Sequence, residues 1–101
     1  GRWDKSLIYR KDGTTTSVTA MNLHSEMYEH IDGLQYVQEE KGKLRVLVIK
    51  NDNFTIEDEI YMIEHHANAM RDKDSVTIEY VDRLIYQPNG KFMPLISIVN
   101  L

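Results

Sequence analysis

The segment from Thr55 to Arg71 constrains the fold most, because it carries several independent signals of an α-helix. Thr55 and Asp58 have the spacing of a capping box, and the acidic residues of the first turn suit the positive end of the helix dipole. Apolar residues then recur with helical spacing, which predicts a buried face made of Ile56, Ile60, Ile63, Ala67 and Met70. We therefore expect a long helix that packs this face against a sheet.

Extended segments surround this helix. Leu44–Ile49 is the strongest strand signal, because it is almost continuously apolar and β-branched, which is typical of a central strand. Shorter alternating or β-branched stretches predict further strands at Ser6–Arg10, Thr14–Val18, Leu34–Glu40, Val76–Val81 and Phe92–Val99, with a short extended piece at Leu84–Tyr86.

A second helix is predicted earlier in the chain. Leu23, Met27 and Ile31 recur every four residues, Thr19 or Asn22 is a suitable N-cap, and Asp32-Gly33 is a suitable stop. The predicted fold class is therefore α+β, a two-layer sandwich in which a mainly antiparallel sheet carries two helices on one face.

Composition narrows the class of protein. The 101 residues favour a single domain over 1–101, with ordinary apolar and charged fractions of 42% and 28%. The net charge of −4 and the scattered basic residues argue against nucleic-acid binding, and no apolar run is long enough for a membrane helix. The lack of cysteine fits a cytoplasmic protein. Patterned sequence begins directly at Gly1, so we expect a fragment of a longer chain.

Two short motifs carry the candidate functional residues. Pro88-Asn89-Gly90-Lys91 is most simply a hairpin turn, because Asn-Gly is a common two-residue hairpin signal; the alternative is a lysine held on a rigid turn to reach a phosphate or carboxylate. Gly1-Arg2-Trp3-Asp4 is either an unremarkable terminus or an arginine and an aspartate at a domain junction.

The histidines do not predict a metal site. His65 and His66 are adjacent in the predicted helix and point about 100° apart, and His24 and His30 are poorly spaced for one ion.

Together, the two motifs resemble the signatures of the C-terminal domain of adenylate-forming enzymes. In that superfamily a Gly-Arg-x-Asp opens the small domain, and a Gly-Lys lies on its last hairpin. Here Gly1-Arg2-Trp3-Asp4 and Gly90-Lys91 have the same order and a similar separation. Gly33–Gln38 and Gly90–Ser97 are most similar to the phenylacetate–CoA ligase branch, which includes capsular polysaccharide biosynthesis proteins.

The resemblance implies roles for individual residues. Lys91 would be the catalytic residue of adenylation, carried on the motif turn of Asn89 and Gly90. Asp4 would be the hinge between the large and small domains, and Arg2 would lie near the ribose of the nucleotide. ATP and Mg²⁺ would be cofactors of the full-length enzyme, with coenzyme A, a carrier protein or another nucleophile as acceptor.

The resemblance also implies partners. This lid would work on a large N-terminal adenylation domain of the same chain, which would hold the carboxylic acid substrate, and the isolated lid would be inactive and would bind no cofactor. The alternative is a stand-alone ferredoxin-like domain that binds a small molecule or a protein partner.

Overall fold

Over the part of the chain that the structure describes, the fold consists of a four-stranded sheet, a small hairpin and one α-helix. The computed structural model describes residues 7–99. In chain order the strands and the helix are β1 Leu7–Tyr9, β2 Thr15–Ser17, β3 Ile31–Gln38, β4 Leu44–Lys50, α1 Ile56–Met70, β5 Val76–Tyr80 and β6 Leu95–Ser97. The α+β class is confirmed. The predicted helix at Thr55–Arg71 is confirmed as α1, including the capping box of Thr55 with Asp58.

The main sheet is mixed and not mainly antiparallel. Its order is β5-β4-β3-β6, so β4 is an interior strand, as its apolar sequence predicted. β3 and β4 are antiparallel, whereas β4 pairs with β5, and β3 with β6, in parallel. Parallel pairing requires a long connection between strands, and α1 supplies it between β4 and β5. The prediction erred because residue patterns identify strands but not the direction in which the chain returns.

The main core lies between the sheet and α1. It also receives side chains from the β1–β2 hairpin and from the segment that precedes β3. Twelve buried residues form this cluster: Ile8, Met21, Leu23, Met27, Ile31, Tyr36, Leu44, Val46, Val48, Met62, Met70 and Leu95.

The second predicted helix is not an α-helix, so the expectation of two helices on one face is wrong for residues 7–99. Two short 3₁₀ helices, Thr19–Met21 and Ser25–Glu29, occupy this segment, and Ile31 already belongs to β3. The apolar stripe of Leu23, Met27 and Ile31 is nevertheless buried. Because Ile31 pairs with Lys50 at the end of β4, the segment left for a helix before β3 is short. An α-helix of so few residues has little stability of its own.

The buried face of α1 also differs from the predicted one. Of the predicted face, Met70 is buried, whereas Ile56, Ile60 and Ile63 are 63%, 50% and 40% exposed. The fully buried residues of α1 are Met62, His66 and Met70. His66 was not part of the predicted face, but Tyr36 of β3 provides a hydrogen-bond partner for it, and that makes its burial possible.

Asp32-Gly33 does not end a helix but lies inside β3, where the strand register shifts. A Cβ atom added at Gly33 would lie 2.9 Å from Cδ1 of Ile49 and 3.2 Å from Cδ1 of Leu84. Leu84 belongs to the segment between β5 and β6, so this segment packs closely on the face of the sheet opposite α1. A side chain at position 33 would therefore press on Ile49 of β4 and on Leu84 of the connection, and these side chains would have to shift to admit it.

Candidate functional site

The predicted turn around Lys91 is the tip of a hairpin that lies between β5 and β6. Tyr86 and Phe92 form an antiparallel bridge at its base, with their rings 5.5 Å apart. Gln87 N donates to Lys91 O at 2.9 Å, and Gly90 N donates to Gln87 O at 2.8 Å. The loop therefore has three residues, Pro88 to Gly90, and is not the two-residue turn that Asn-Gly alone indicates.

Each residue of the loop has a local reason for its place. Pro88 has the fixed φ that suits the second position of a β-turn, and Gly90 takes the positive φ of 85° that closes a three-residue hairpin. The side chain of Asn89 folds back, and its Oδ1 accepts the backbone N–H of Lys91 at 2.9 Å. The backbone of Lys91 is therefore held from two sides, by Asn89 and by Gln87.

The β1–β2 hairpin repeats this design. Gly13 N donates to Arg10 O at 3.0 Å, and Arg10 N to Thr14 O at 2.8 Å. Asp12 Oδ1 accepts the backbone N–H of Thr14 at 2.9 Å, as Asn89 does for Lys91. The turn geometry is thus not specific to the candidate site. What distinguishes the second hairpin is the lysine that follows its glycine.

The side chain of Lys91 is exposed at the edge of this loop. The loop from Gln87 to Lys91 contains no carboxylate, so no residue of the loop offers an ion pair to its ammonium group. Next to it, an open cleft of about 350 Å³ runs along the hairpin and β6; its walls include Ile85, Tyr86, Pro88, Met93 and Leu95. The arrangement offers one positive charge beside a mostly apolar surface.

A buried glutamine joins the hairpin to the sheet. Gln35, in β3, is fully buried, and its Nε2 donates to Ile85 O and to Met93 O, both at 2.9 Å. Its Oε1 accepts the N–H of Ile85 at 2.8 Å. Gln35 was not among the site residues predicted from sequence. The available signal was a polar residue between the apolar neighbours Leu34 and Tyr36, but its partners lie 50 and 58 residues away in sequence.

The other predicted site residues, Arg2 and Asp4, lie outside residues 7–99. The proximity of Arg2 to the ribose of the nucleotide and the hinge role of Asp4 stay predictions.

The core contains a hydrogen-bonded pair of titratable groups, His66 and Tyr36, whose pKa values both depart strongly from their ordinary values. Nδ1 of His66 lies 2.6 Å from Met62 O and its Nε2 lies 2.8 Å from the hydroxyl of Tyr36. A carbonyl can only accept, so Nδ1 carries the proton and Nε2 accepts from Tyr36. Burial lowers the pKa of His66 to about 4 and raises that of Tyr36 far above its ordinary value. His66 is thus a neutral residue that fastens α1 to β3.

The remaining histidines serve contacts within the fold. His65 Nε2 lies 3.1 Å from Met21 O, and the ring of Tyr61 lies between His24 and His65, at 4.5 and 5.2 Å from them. Within residues 7–99, no three His, Asp or Glu side chains come together in a way that would hold a metal ion. Nor does any helix in this range combine the length and apolar character needed to cross a bilayer.

Comparison with known proteins gives the class to which this α+β domain belongs. A family model described as the CapK C-terminal domain matches residues 7–98, which is most of the chain. The chain therefore belongs to the CapK C-terminal domain family, and CapK is a capsular polysaccharide biosynthesis protein. This confirms the resemblance to the branch that contains such proteins. No curated protein and no solved structure gives a significant match to the chain.

Proposed function

We propose that this domain is the lid of an ATP-dependent carboxylate-activating enzyme of the acyl-adenylate-forming, phenylacetate–CoA ligase-like kind, and that Lys91 is its catalytic residue. The observation that carries the proposal is the exposed Lys91 on a doubly held hairpin, in a chain that belongs to the CapK C-terminal domain family.

The chemistry of Lys91 suits this role. Activation of a carboxylic acid with ATP brings the substrate carboxylate against the α-phosphate, so negative charge gathers where the new bond forms. An ammonium group is a compact positive charge with three hydrogen-bond donors, and it can contact an oxygen of the carboxylate and an oxygen of the α-phosphate together. Its effect grows when water is excluded, because electrostatic stabilisation is stronger in a site of low polarity. A lid that closes on the substrates provides that exclusion.

The rest of the substrate site belongs, in this proposal, to the large N-terminal domain of the same chain. That domain would hold ATP, Mg²⁺ and the carboxylic acid, while Arg2 would contact the ribose and Asp4 would be the hinge. Lys91 fits a site that is shared between two domains, because its hairpin would bring one positive charge to ATP and the carboxylic acid bound by the large domain. Rotation of the lid would later withdraw Lys91 and admit the acceptor, coenzyme A or another nucleophile.

The test is carboxylate-dependent release of pyrophosphate from ATP by the full-length protein, over a panel of aryl and fatty acids. Lys91→Ala should lower kcat by on the order of a hundredfold or more, because it removes a charge partner of the transition state. Lys11→Ala is the matched control, since Lys11 is an exposed lysine on the equivalent β1–β2 hairpin. An unaltered rate in Lys91→Ala, with an active wild type, would contradict the proposal.

The ferredoxin-like alternative is less well supported. A ferredoxin-like domain alternates strands and helices as β-α-β-β-α-β. Here, residues 7–99 have four strands before α1 and two after it, and the sheet is mixed.

A further inference from the structure

Gln35 occupies a specific place beneath the Lys91 hairpin. It lies near the middle of β3 and points to the face of the sheet opposite α1, because its neighbours Leu34 and Tyr36 pack in the α1 core. The connection from β5 to β6 covers this face. The hairpin that carries Lys91 therefore rests on the sheet at Gln35.

One amide group holds both ends of the hairpin. Gln35 donates to Ile85 O before the loop and to Met93 O after it, and accepts from Ile85 N. Both N–H donors of the side chain and its carbonyl oxygen are in use, and the residue is fully buried. Removing the amide would leave two carbonyl groups and one N–H without their partner at a partly buried position, which costs free energy of folding.

We propose that Gln35 is the positioning residue for Lys91: it clamps the base of the hairpin, so that the ammonium group at the tip is held in one place relative to the sheet. Lys91 is two residues from Met93, and Gln87, which bonds Lys91 O, is two residues from Ile85. A displacement at the base therefore passes directly to the tip. The catalytic consequence of the clamp rests on the function proposed above; the clamp itself does not.

The chain contains a closely matched control. Gln38 lies on the same strand, is also fully buried, and makes the same pattern of three hydrogen bonds. Its amide accepts from Tyr9 N at 2.8 Å and donates to Tyr9 O at 2.8 Å and to Lys43 O at 3.1 Å. Gln38 thus clamps the β1–β2 hairpin and does not contact the Lys91 hairpin.

The first experiment measures amide hydrogen exchange in the full-length protein for wild type, Gln35→Met and Gln38→Met. The informative amides are Gln87 and Gly90, because their hydrogen bonds lie within the hairpin and do not involve Gln35. Gln35→Met should speed their exchange at least about tenfold relative to Gln38→Met, since the loop opens more often when its base is released. Equal exchange in the two variants would overturn the clamp.

Should Gln35→Met fail to fold, Gln35→Glu provides the same comparison. It keeps the shape and the acceptor for Ile85 N–H, and because burial favours the protonated carboxyl group, its single O–H can donate to only one of the two carbonyl groups.

The second experiment measures pyrophosphate release by the same full-length variants. Gln35→Met should lower kcat by about tenfold or more with little change in KM, whereas Gln38→Met should not, although it loses equivalent hydrogen bonds. In a Lys91→Ala background, Gln35→Met should cause no further loss, because a positioning residue acts through the group it positions.

The outcomes separate the two proposals. If Lys91→Ala is inactive and Gln35→Met is fully active, the positioning role is overturned while the proposed function stands. If Lys91→Ala is fully active, the proposed function fails, and the hydrogen-exchange comparison still decides whether Gln35 clamps the hairpin. Further loss in the Gln35→Met and Lys91→Ala double variant would show that Gln35 acts by another route.

Discussion

The buried His66 should make the stability of this domain depend on pH. Burial lowers its pKa in the folded protein to about 4, whereas an ordinary histidine in the unfolded chain has a pKa of about 6.5. Between these values the unfolded chain binds a proton that the folded protein does not bind. The contribution of His66 is therefore complete above about pH 6.5 and is lost as the pH falls toward 4. Between about pH 7 and about pH 5 the free energy of unfolding should fall by about 2 kcal/mol.

This pH window separates His66 from the carboxylates. Hydrogen bonding to Arg45 lowers the pKa of Glu79. For Asp58, burial raises the pKa, but hydrogen bonds from Thr55 and His30 lower it further than burial raises it. Carboxylates with a lowered pKa contribute stability above their ordinary value of about 4 and lose it only as the pH falls below that value. Their effect therefore lies below the chosen range.

The assay is urea unfolding at the two pH values, for wild type and for the double variant Tyr36→Phe and His66→Leu. The double replacement removes both members of the buried hydrogen bond, so that it leaves no orphaned hydroxyl group. Its stability should change by about 2 kcal/mol less than that of wild type over the same range. If both proteins lose the same stability between about pH 7 and about pH 5, the pH dependence does not come from His66 and the reasoning is refuted.

Two further predictions concern packing. Met62→Ala should lower the free energy of unfolding by about 3 kcal/mol, because it opens a cavity in the core. Ile60→Ala should change it by about 0.5 kcal/mol or less, because this side chain is half exposed. Chemical denaturation measures both values, and equal losses would support the buried face predicted from sequence. Gly33→Ala should cost about 1–2 kcal/mol, because its Cβ would lie 2.9 Å from Cδ1 of Ile49. In a double variant with Ile49→Val, which removes this Cδ1, the added cost of Gly33→Ala in thermal unfolding should be smaller, and strictly additive effects would show that the contact with Ile49 does not cause the loss.

The turn residues of the candidate site could be predicted from sequence, whereas the hydrogen bonds that hold its hairpin to the sheet could not. Gly90 and Asn89 are turn residues for reasons that operate within the loop, so the turn before Lys91 was predicted, although its length was not. Gln35 was missed because its partners, Ile85 and Met93, come near it only when the chain crosses the sheet. A polar residue in a strand shows that some partner exists but does not identify it.

By itself, the sequence determined the features whose causes are local. The capping box of Thr55 and Asp58 fixed the start of α1, the apolar run fixed β4 as an interior strand, and Leu23, Met27 and Ile31 were correctly predicted to be buried.

The tertiary structure decided whatever depends on which surfaces meet. It paired Ile31 with Lys50 and so replaced a predicted helix by 3₁₀ turns and a longer strand. It supplied Tyr36 as a partner for His66, which selected the buried face of α1 and left Ile56 and Ile60 exposed. These outcomes depend on hydrogen bonds and packing between residues far apart in sequence, and no local pattern encodes them.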